Sequence, residues 1–233
     1  MKIVGIIPSR YGSVRFPGKP LVMIEGKPMI QHVYEQCLKS DQLQDVLIAT
    51  DDERIANVVI GFGGKYLLTS PNHPSGTDRC AEAAQHIDTD AIINIQGDEP
   101  MIHPEQIAQV AALLQQGAQI ATLVHKIDER TAKQEHLVKV VLDRHHRAMY
   151  FSRLPIPFHS ENGYYQHIGI YGFQRSVLEA VTALPVSSLE SSEKLEQLRW
   201  LENGFAIQTA ETYLKSFSID TPQDLNQLKI HRI

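Results

Sequence analysis

Short apolar runs alternate with segments of helical period through the first half of this chain, and that alternation limits the folds open to it. Residues 3–7 are apolar, and residues 46–49, 66–68 and 91–95 repeat the pattern. Between them, residues 28–38 carry apolar side chains at 29, 30, 33 and 37, close to helical spacing. Residues 53–59, 75–87 and 104–114 read as further helices, the last with Pro104 in its first turn. A β-α-β-α-β order predicts a mainly parallel sheet with helices on both faces. Such sheets bind ligands beyond the carboxyl ends of their strands.

The segment after the first strand is unusual. Residues 9–19 read S-R-Y-G-S-V-R-F-P-G-K, with three fixed cations (Arg10, Arg15, Lys19) and no acid. The whole chain is acidic, with 22 Lys+Arg against 27 Asp+Glu. A basic, glycine-containing loop at a strand's carboxyl end suits a polyanion, by default a nucleotide's phosphates. Arg10 and Arg15 offer forked donors and Lys19 a point charge. The loop is not a Walker A motif: five residues separate Gly12 from Gly18-Lys19, and Pro20 stands where Ser or Thr belongs.

Two other turns share the expected edge, Thr50-Asp51-Asp52 and Gln96-Gly97-Asp98-Glu99-Pro100. Asp98 at a strand end near phosphates fits the way Mg²⁺ is held, by one or two carboxylates, phosphate oxygens and water; an Asx-turn is its plainer role. Asp220 has the same character, because Thr221 already caps the segment after it. Ser75-Gly76-Thr77-Asp78-Arg79 opens a helix whose amides either are simply capped or meet a ligand.

The second half is less regular. Residues 138–142 and 148–151 read as a hairpin, 158–165 as a polar loop and 167–173 as a strand with His167 and Tyr171 on one face. Residues 175–183 and 189–202 read as helices, and 205–209 as a strand. On the second helix Glu193, Glu196, Gln197 and Trp200 form a polar stripe; alone it reads as a solvated face. No repeat or linker appears, so one domain with an inserted mixed β region is expected. The pI near 6.1 argues against a nucleic-acid partner, and no apolar run approaches membrane-spanning length. Two free cysteines are compatible with the cytoplasm.

In order along the chain, Arg10-Tyr-Gly-Ser-x-Arg15-Phe-Pro-Gly-Lys19-Pro-Leu, Ser75-Gly-Thr-Asp-Arg79, Gln96-Gly-Asp98-Glu-Pro100, Phe151-Ser-Arg153, His167-Ile-Gly-Ile-Tyr171, Leu195-Glu-Gln-Leu-Arg199 and Asp220-Thr-Pro-x-Asp224 resemble the CMP-KDO synthetase family. These are cytidylyltransferases for 3-deoxy-manno-octulosonate (KDO), used in bacterial lipopolysaccharide. The resemblance implies an α/β, GT-A-like fold, with CTP and KDO as substrates, Mg²⁺ as cofactor and a homodimer. It implies that Arg10, Arg15, Lys19, Ser75, Gly76 and Arg79 hold CTP, that Asp98 and Asp220 hold the metal, and that Gln96, Arg153, His167, Tyr171, Glu196 and Gln197 surround the sugar acid. Arg10, Lys19, Asp98 and Asp220 would carry the chemistry. An amino-KDO analogue or a sialic-type acid is the alternative acceptor. By the same resemblance, residues 1–125 mainly serve the nucleotide, 126–215 the sugar and the dimer, and 216–233 return to the metal.

Overall fold

A computed structural model of the protein describes residues 1–12, 16–215, 218–219 and 221–225. In chain order its elements are β1 (Ile3–Ser9), β2 (Met23–Ile24), β3 (Lys27–Pro28), α1 (Met29–Cys37), β4 (Asp45–Thr50), α2 (Glu53–Gly61), β5 (Tyr66–Leu68), α3 (Gly76–Gln85), β6 (Ala91–Asn94) and α4 (Pro104–Gln115). They continue as β7 (Ile120–Ile127), α5 (Glu129–Ala132), β8 (Lys139–Leu142), β9 (Ala148–Ser152), β10 (Tyr164–Gln174), α6 (Arg175–Thr182), α7 (Ser188–Glu193), α8 (Gln197–Glu202) and β11 (Ile207–Glu211). The chain forms two compact units, one of residues 2–108 with 216–233, the other of residues 109–215 with Met1. No helix among the described residues is long and apolar enough to cross a membrane.

In the first unit β1 is the hub. It pairs in parallel with β4, from Val4↔Asp45 to Ser9↔Thr50, and with β6, from Ile3↔Ala91 to Ile6↔Asn94. The ladder passes from β4 to β5, also in parallel, ending at Thr50↔Leu68. Ile3, Ile6, Ile7, Ile48, Ile92 and Ile93 are fully buried, as expected of a parallel sheet covered on both faces. The parallel order makes β1, β4 and β6 end on the same edge, as the alternation in sequence predicts. Helix α1 turns Met29, Ile30, Val33, Tyr34 and Cys37 inward. Asp52 caps α2, its carboxylate accepting from the Arg54 amide at 2.9 Å.

In the second unit β7 lies between β10, antiparallel, and β11, parallel. The β8–β9 hairpin that the sequence predicts is antiparallel, and it joins β10 through β8. The sequence reading assigns no element to residues 120–127, which form this unit's central strand. Strand β10 starts at Tyr164, so the polar loop ends sooner than expected. Its pairing with β7 shifts between Ile168 and Tyr171. The buried Thr122 hydroxyl faces this bulge, 3.1 Å from the Ile168 carbonyl and 2.7 Å from that of Ile170.

The expected single helix over residues 189–202 is two helices. Lys194, at φ 57, breaks it, and α8 begins only at Gln197. The cause is tertiary: the Glu193 carboxylate accepts from Ser152 Oγ at 2.8 Å and from the Arg153 amide at 2.9 Å. The Arg153 Nε in turn donates to the Glu193 carbonyl at 2.9 Å. Those bonds outweigh the helix propensity of an unbroken polar–apolar pattern.

Close packing of β10 on α4 sets a further requirement. A Cβ on Gly172 would lie 2.6 Å from Val110 Cγ1 and 2.8 Å from Leu114 Cδ1. Gly172→Ala is therefore expected to lower stability by about 1–3 kcal/mol through overpacking. A urea-denaturation midpoint equal to that of the parent protein would contradict this packing.

Candidate active site

At the carboxyl edge of β1, β4 and β6 the first unit holds a cleft of about 220 Å³. Its lining includes Ser9 at the end of β1 and Arg10 after it, Lys19 and Pro20 from the basic loop, and Ser75, the cap of α3, with Gly76 and Arg79 of that helix. Gln96, Gly97 and Asp98 after β6 complete it. The loop is shaped by its own backbone: the Gly18 amide donates to the Tyr11 carbonyl at 3.0 Å, and Lys19 begins a short 3₁₀ turn. Arg54 stacks on the Tyr11 ring, its guanidinium carbon 3.3 Å from the centroid.

Lys19 Nζ lies 2.5 Å from Asp98 Oδ2, joining the loop after β1 to the loop after β6. Gly97 permits that approach, since a Cβ there would lie 2.8 Å from Ser9 Oγ and 3.1 Å from the Pro8 carbonyl. The Ile219 amide donates to the Asp98 carbonyl at 2.9 Å, so the chain's late segment is tied to this turn. Arg15 and Asp220 themselves lie outside the described residues.

Ser75 caps α3, its hydroxyl accepting from the Asp78 amide at 3.1 Å. Cap and cleft wall are thus the same residue. Arg79, one turn later, is buried, donating from Nη1 to Thr69 Oγ1 at 2.5 Å and from Nη2 to Asp51 Oδ2 at 3.1 Å. His73 also lines the cleft and pairs with Glu82, which accepts from the Ser70 amide at 2.9 Å. Glu82's carboxyl is held below its usual range, first by His73.

In the second unit the predicted strand pair forms an aromatic cluster. His167 and Tyr171 have ring centroids 5.0 Å apart, with Phe151 edge-on to His167 and Trp200 edge-on to Tyr171. Burial pushes His167 down to about 3, so the ring is neutral at ordinary pH. Its Nε2 lies 3.1 Å from Thr122 Oγ1. With that hydroxyl donating to the bulge carbonyls, we assign the Nε2 tautomer as the donor. Burial and, second, the charge of Glu196 raise the Tyr171 phenol well above its usual range. The Tyr171 hydroxyl and Trp200 Nε1 are buried without a hydrogen bond among the described residues.

Glu196 is steadied by Arg199 Nη2 at 3.2 Å, and Gln197 is buried. The Arg153 side chain is held by backbone carbonyls. Its Nε and Nη2 donate to the Glu193 and Lys194 carbonyls. Under it lies Lys139, fully buried, whose ammonium donates to the carbonyls of Leu137 and Arg153 at 2.5 Å and of Gln134 at 2.9 Å.

Of the sequence-predicted residues, the structure gathers Arg10, Lys19, Ser75, Gly76, Arg79, Gln96 and Asp98 around one cleft, and His167, Tyr171 and Glu196 around one cluster. Sequence reasoning missed His73, Thr69, Thr122 and Lys139. The Ser-Pro-Asn-His-Pro-Ser run before α3 was a usable signal for His73, being a turn leading into a cap. Lys139 carried none, because a lysine inside an apolar strand reads as its solvent side.

The sequence matches the cytidylyltransferase family over residues 4–217. It is 50% identical to the 3-deoxy-manno-octulosonate cytidylyltransferase of Bacteroides thetaiotaomicron, across 97% of this chain and 96% of the relative. It superposes on a structure of CMP:2-keto-3-deoxy-manno-octonic acid synthetase complexed with CTP with a TM-score of 0.95 at 42% identity, covering 100% of this chain and 98% of the other. The 4-diphosphocytidyl-2C-methyl-D-erythritol synthase of Anaerococcus prevotii matches at TM-score 0.67 and 12% identity over 99% of this chain and 98% of its own, a likeness of fold alone.

The His167 assignment has a pH consequence. The native ring stays neutral while the unfolded ring titrates near 6.5, so below that pH the unfolded state binds the extra proton. Stability is full above about pH 6.5 and falls as pH drops toward 3. From this group the fall is about 2 kcal/mol between about pH 7 and about pH 5. His167→Gln should remove that share of the acid slope, read from urea midpoints. A gap between parent and variant that stays constant across the range would contradict it.

Proposed function

We infer that this chain, which belongs to the cytidylyltransferase family, transfers CMP from CTP to the anomeric hydroxyl of KDO and releases pyrophosphate. The observation that carries this is the cleft in which Arg10, Lys19, Ser75, Gly76, Arg79, Gln96 and Asp98 surround one space at the strand ends. In the reaction the hydroxyl oxygen bonds to the α-phosphorus as the bond to the β-phosphate bridging oxygen breaks. The electron pair leaves with pyrophosphate, and the hydroxyl proton passes to solvent. No covalent intermediate with the protein is needed, so the residues act by positioning and by charge.

We assign Arg10, Arg15 and Lys19 to the triphosphate, where they offset charge building on pyrophosphate. Ser75 and Gly76 bring the amide end of α3 to the nucleotide, and Arg79 its guanidinium. Asp98 has the donor chemistry for Mg²⁺, a hard carboxylate 24% exposed beside the cationic loop. With Asp220 it would hold the ion, which when bound polarises phosphate and lowers the pKa of the attacking hydroxyl. The contact from Lys19 Nζ holds this carboxylate in place at the loop.

Gln96, Arg153, His167, Tyr171, Glu196 and Gln197 are assigned to the sugar acid. A neutral imidazole, a protonated phenol, a carboxamide and a carboxylate supply the mixed donors and acceptors that a polyhydroxylated ligand needs. A homodimer is supported by exposed Met149, Leu154 and Phe158, and a cytoplasmic setting by the free thiols of Cys37 and Cys80.

Asp98→Ala should reduce pyrophosphate release from CTP plus KDO by about a thousandfold or more. It should cost about 1–3 kcal/mol of stability, since Lys19, 15% exposed, loses its carboxylate. Near-normal turnover would remove Asp98 from the mechanism. Release with a sialic-type acid but not with KDO would move the acceptor assignment.

A further inference from the structure

We propose that Asp51, with Thr69, is a positioning residue for CTP binding, acting through the guanidinium of Arg79; this rests on the assignment of Arg79 to the nucleotide. The two acceptors come from adjacent strand ends. The β4–β5 ladder closes at Thr50↔Leu68, and the Thr69 amide extends it by donating to the Thr50 carbonyl at 2.8 Å. Asp51 is the residue just beyond β4 and Thr69 the one just beyond β5, so the sheet fixes both. Asp51 is further pinned between Thr50, fully buried, and Asp52, the cap of α2.

Arg79 arrives from α3 and commits both terminal nitrogens to this pair, Nη1 to Thr69 and Nη2 to Asp51. Its side chain is 4% exposed, and it is the α3 cation in the cleft wall. A long, flexible arginine so enclosed is held in one rotamer, which is what a ligand donor needs if its ordering is not to be repeated at each binding event.

The state of Asp51 supports the same reading. Its carboxylate is mostly enclosed, and its Oδ1 is buried without a hydrogen bond among the described residues. A carboxylate with one oxygen buried and unmet is poor as a device for stability alone. Asp51 does not line the cleft, so its influence on nucleotide passes through Arg79.

The test is a double-mutant cycle read by calorimetric titration of CTP into the full-length protein. Asp51→Asn and Arg79→Gln should each weaken CTP binding by about tenfold, and the double variant by no more than the stronger single one. The KM for KDO should stay within about twofold in Asp51→Asn, whereas a merely structural lesion would raise both substrates' constants. If Asp51→Asn does not fold, Thr69→Val replaces it in the cycle. CTP affinity unchanged in Asp51→Asn, or effects that multiply in the double variant, would overturn the proposal while leaving the reaction intact. CTP affinity unchanged in Arg79→Gln would instead remove Arg79 from the nucleotide site.

Discussion

The ion pair between Lys19 and Asp98, 2.5 Å long, is the contact on which the cleft depends. It ties the loop after β1 to the loop after β6, and parallel pairing of those two strands is what brings the loops within reach. Lys19 is placed as the first residue of the 3₁₀ turn that Gly18 caps, Asp98 by the glycine before it and by the Ile219 amide on its carbonyl. A like-charged residue at either position would leave a partly enclosed charge facing its own kind.

The second unit solves a different problem, that of presenting polar groups from an apolar setting. The β10 bulge turns two carbonyls toward Thr122, whose hydroxyl also meets His167. The ring is thereby fixed as a neutral donor in a cluster with Phe151, Tyr171, Phe173 and Trp200. Arg199 reaches Glu190, Glu196 and the Leu184 carbonyl, holding α7 and α8 against each other. The buried ammonium of Lys139 does the same for the segment that carries Arg153.

Much of the first unit was legible in sequence because local and tertiary preferences agree there. Residues 3–7, 46–49, 66–68 and 91–94 are strands, and Ser75 and Pro104 mark helix starts, since apolar period and capping chemistry are local signals. The strand-end position of Arg10, Lys19 and Asp98 came from parallel order alone. The second unit was less legible because its decisive interactions are long-range. Nothing near Lys194 announces a helix break; the break is made by Ser152 and Arg153, some forty residues away. The bulge in β10 has no glycine at its corner that a sequence rule could separate from an ordinary strand glycine. Strand β7 mixes Thr122, His125 and Lys126 with apolar residues and shows no clean alternation. The Asp51–Arg79–Thr69 set was invisible for the same reason, because Asp51 and Thr69 are ordinary turn residues and Arg79 an ordinary helix residue until the ladder brings them together.

A crystal structure with magnesium and a non-hydrolysable CTP analogue tests the central claim most directly. The account predicts the triphosphate against Arg10, Lys19, Ser75 and Gly76, with an Asp98 oxygen on the metal and Lys19 moved from Asp98 to phosphate. A nucleotide seated elsewhere, or a metal bound without Asp98, would contradict it.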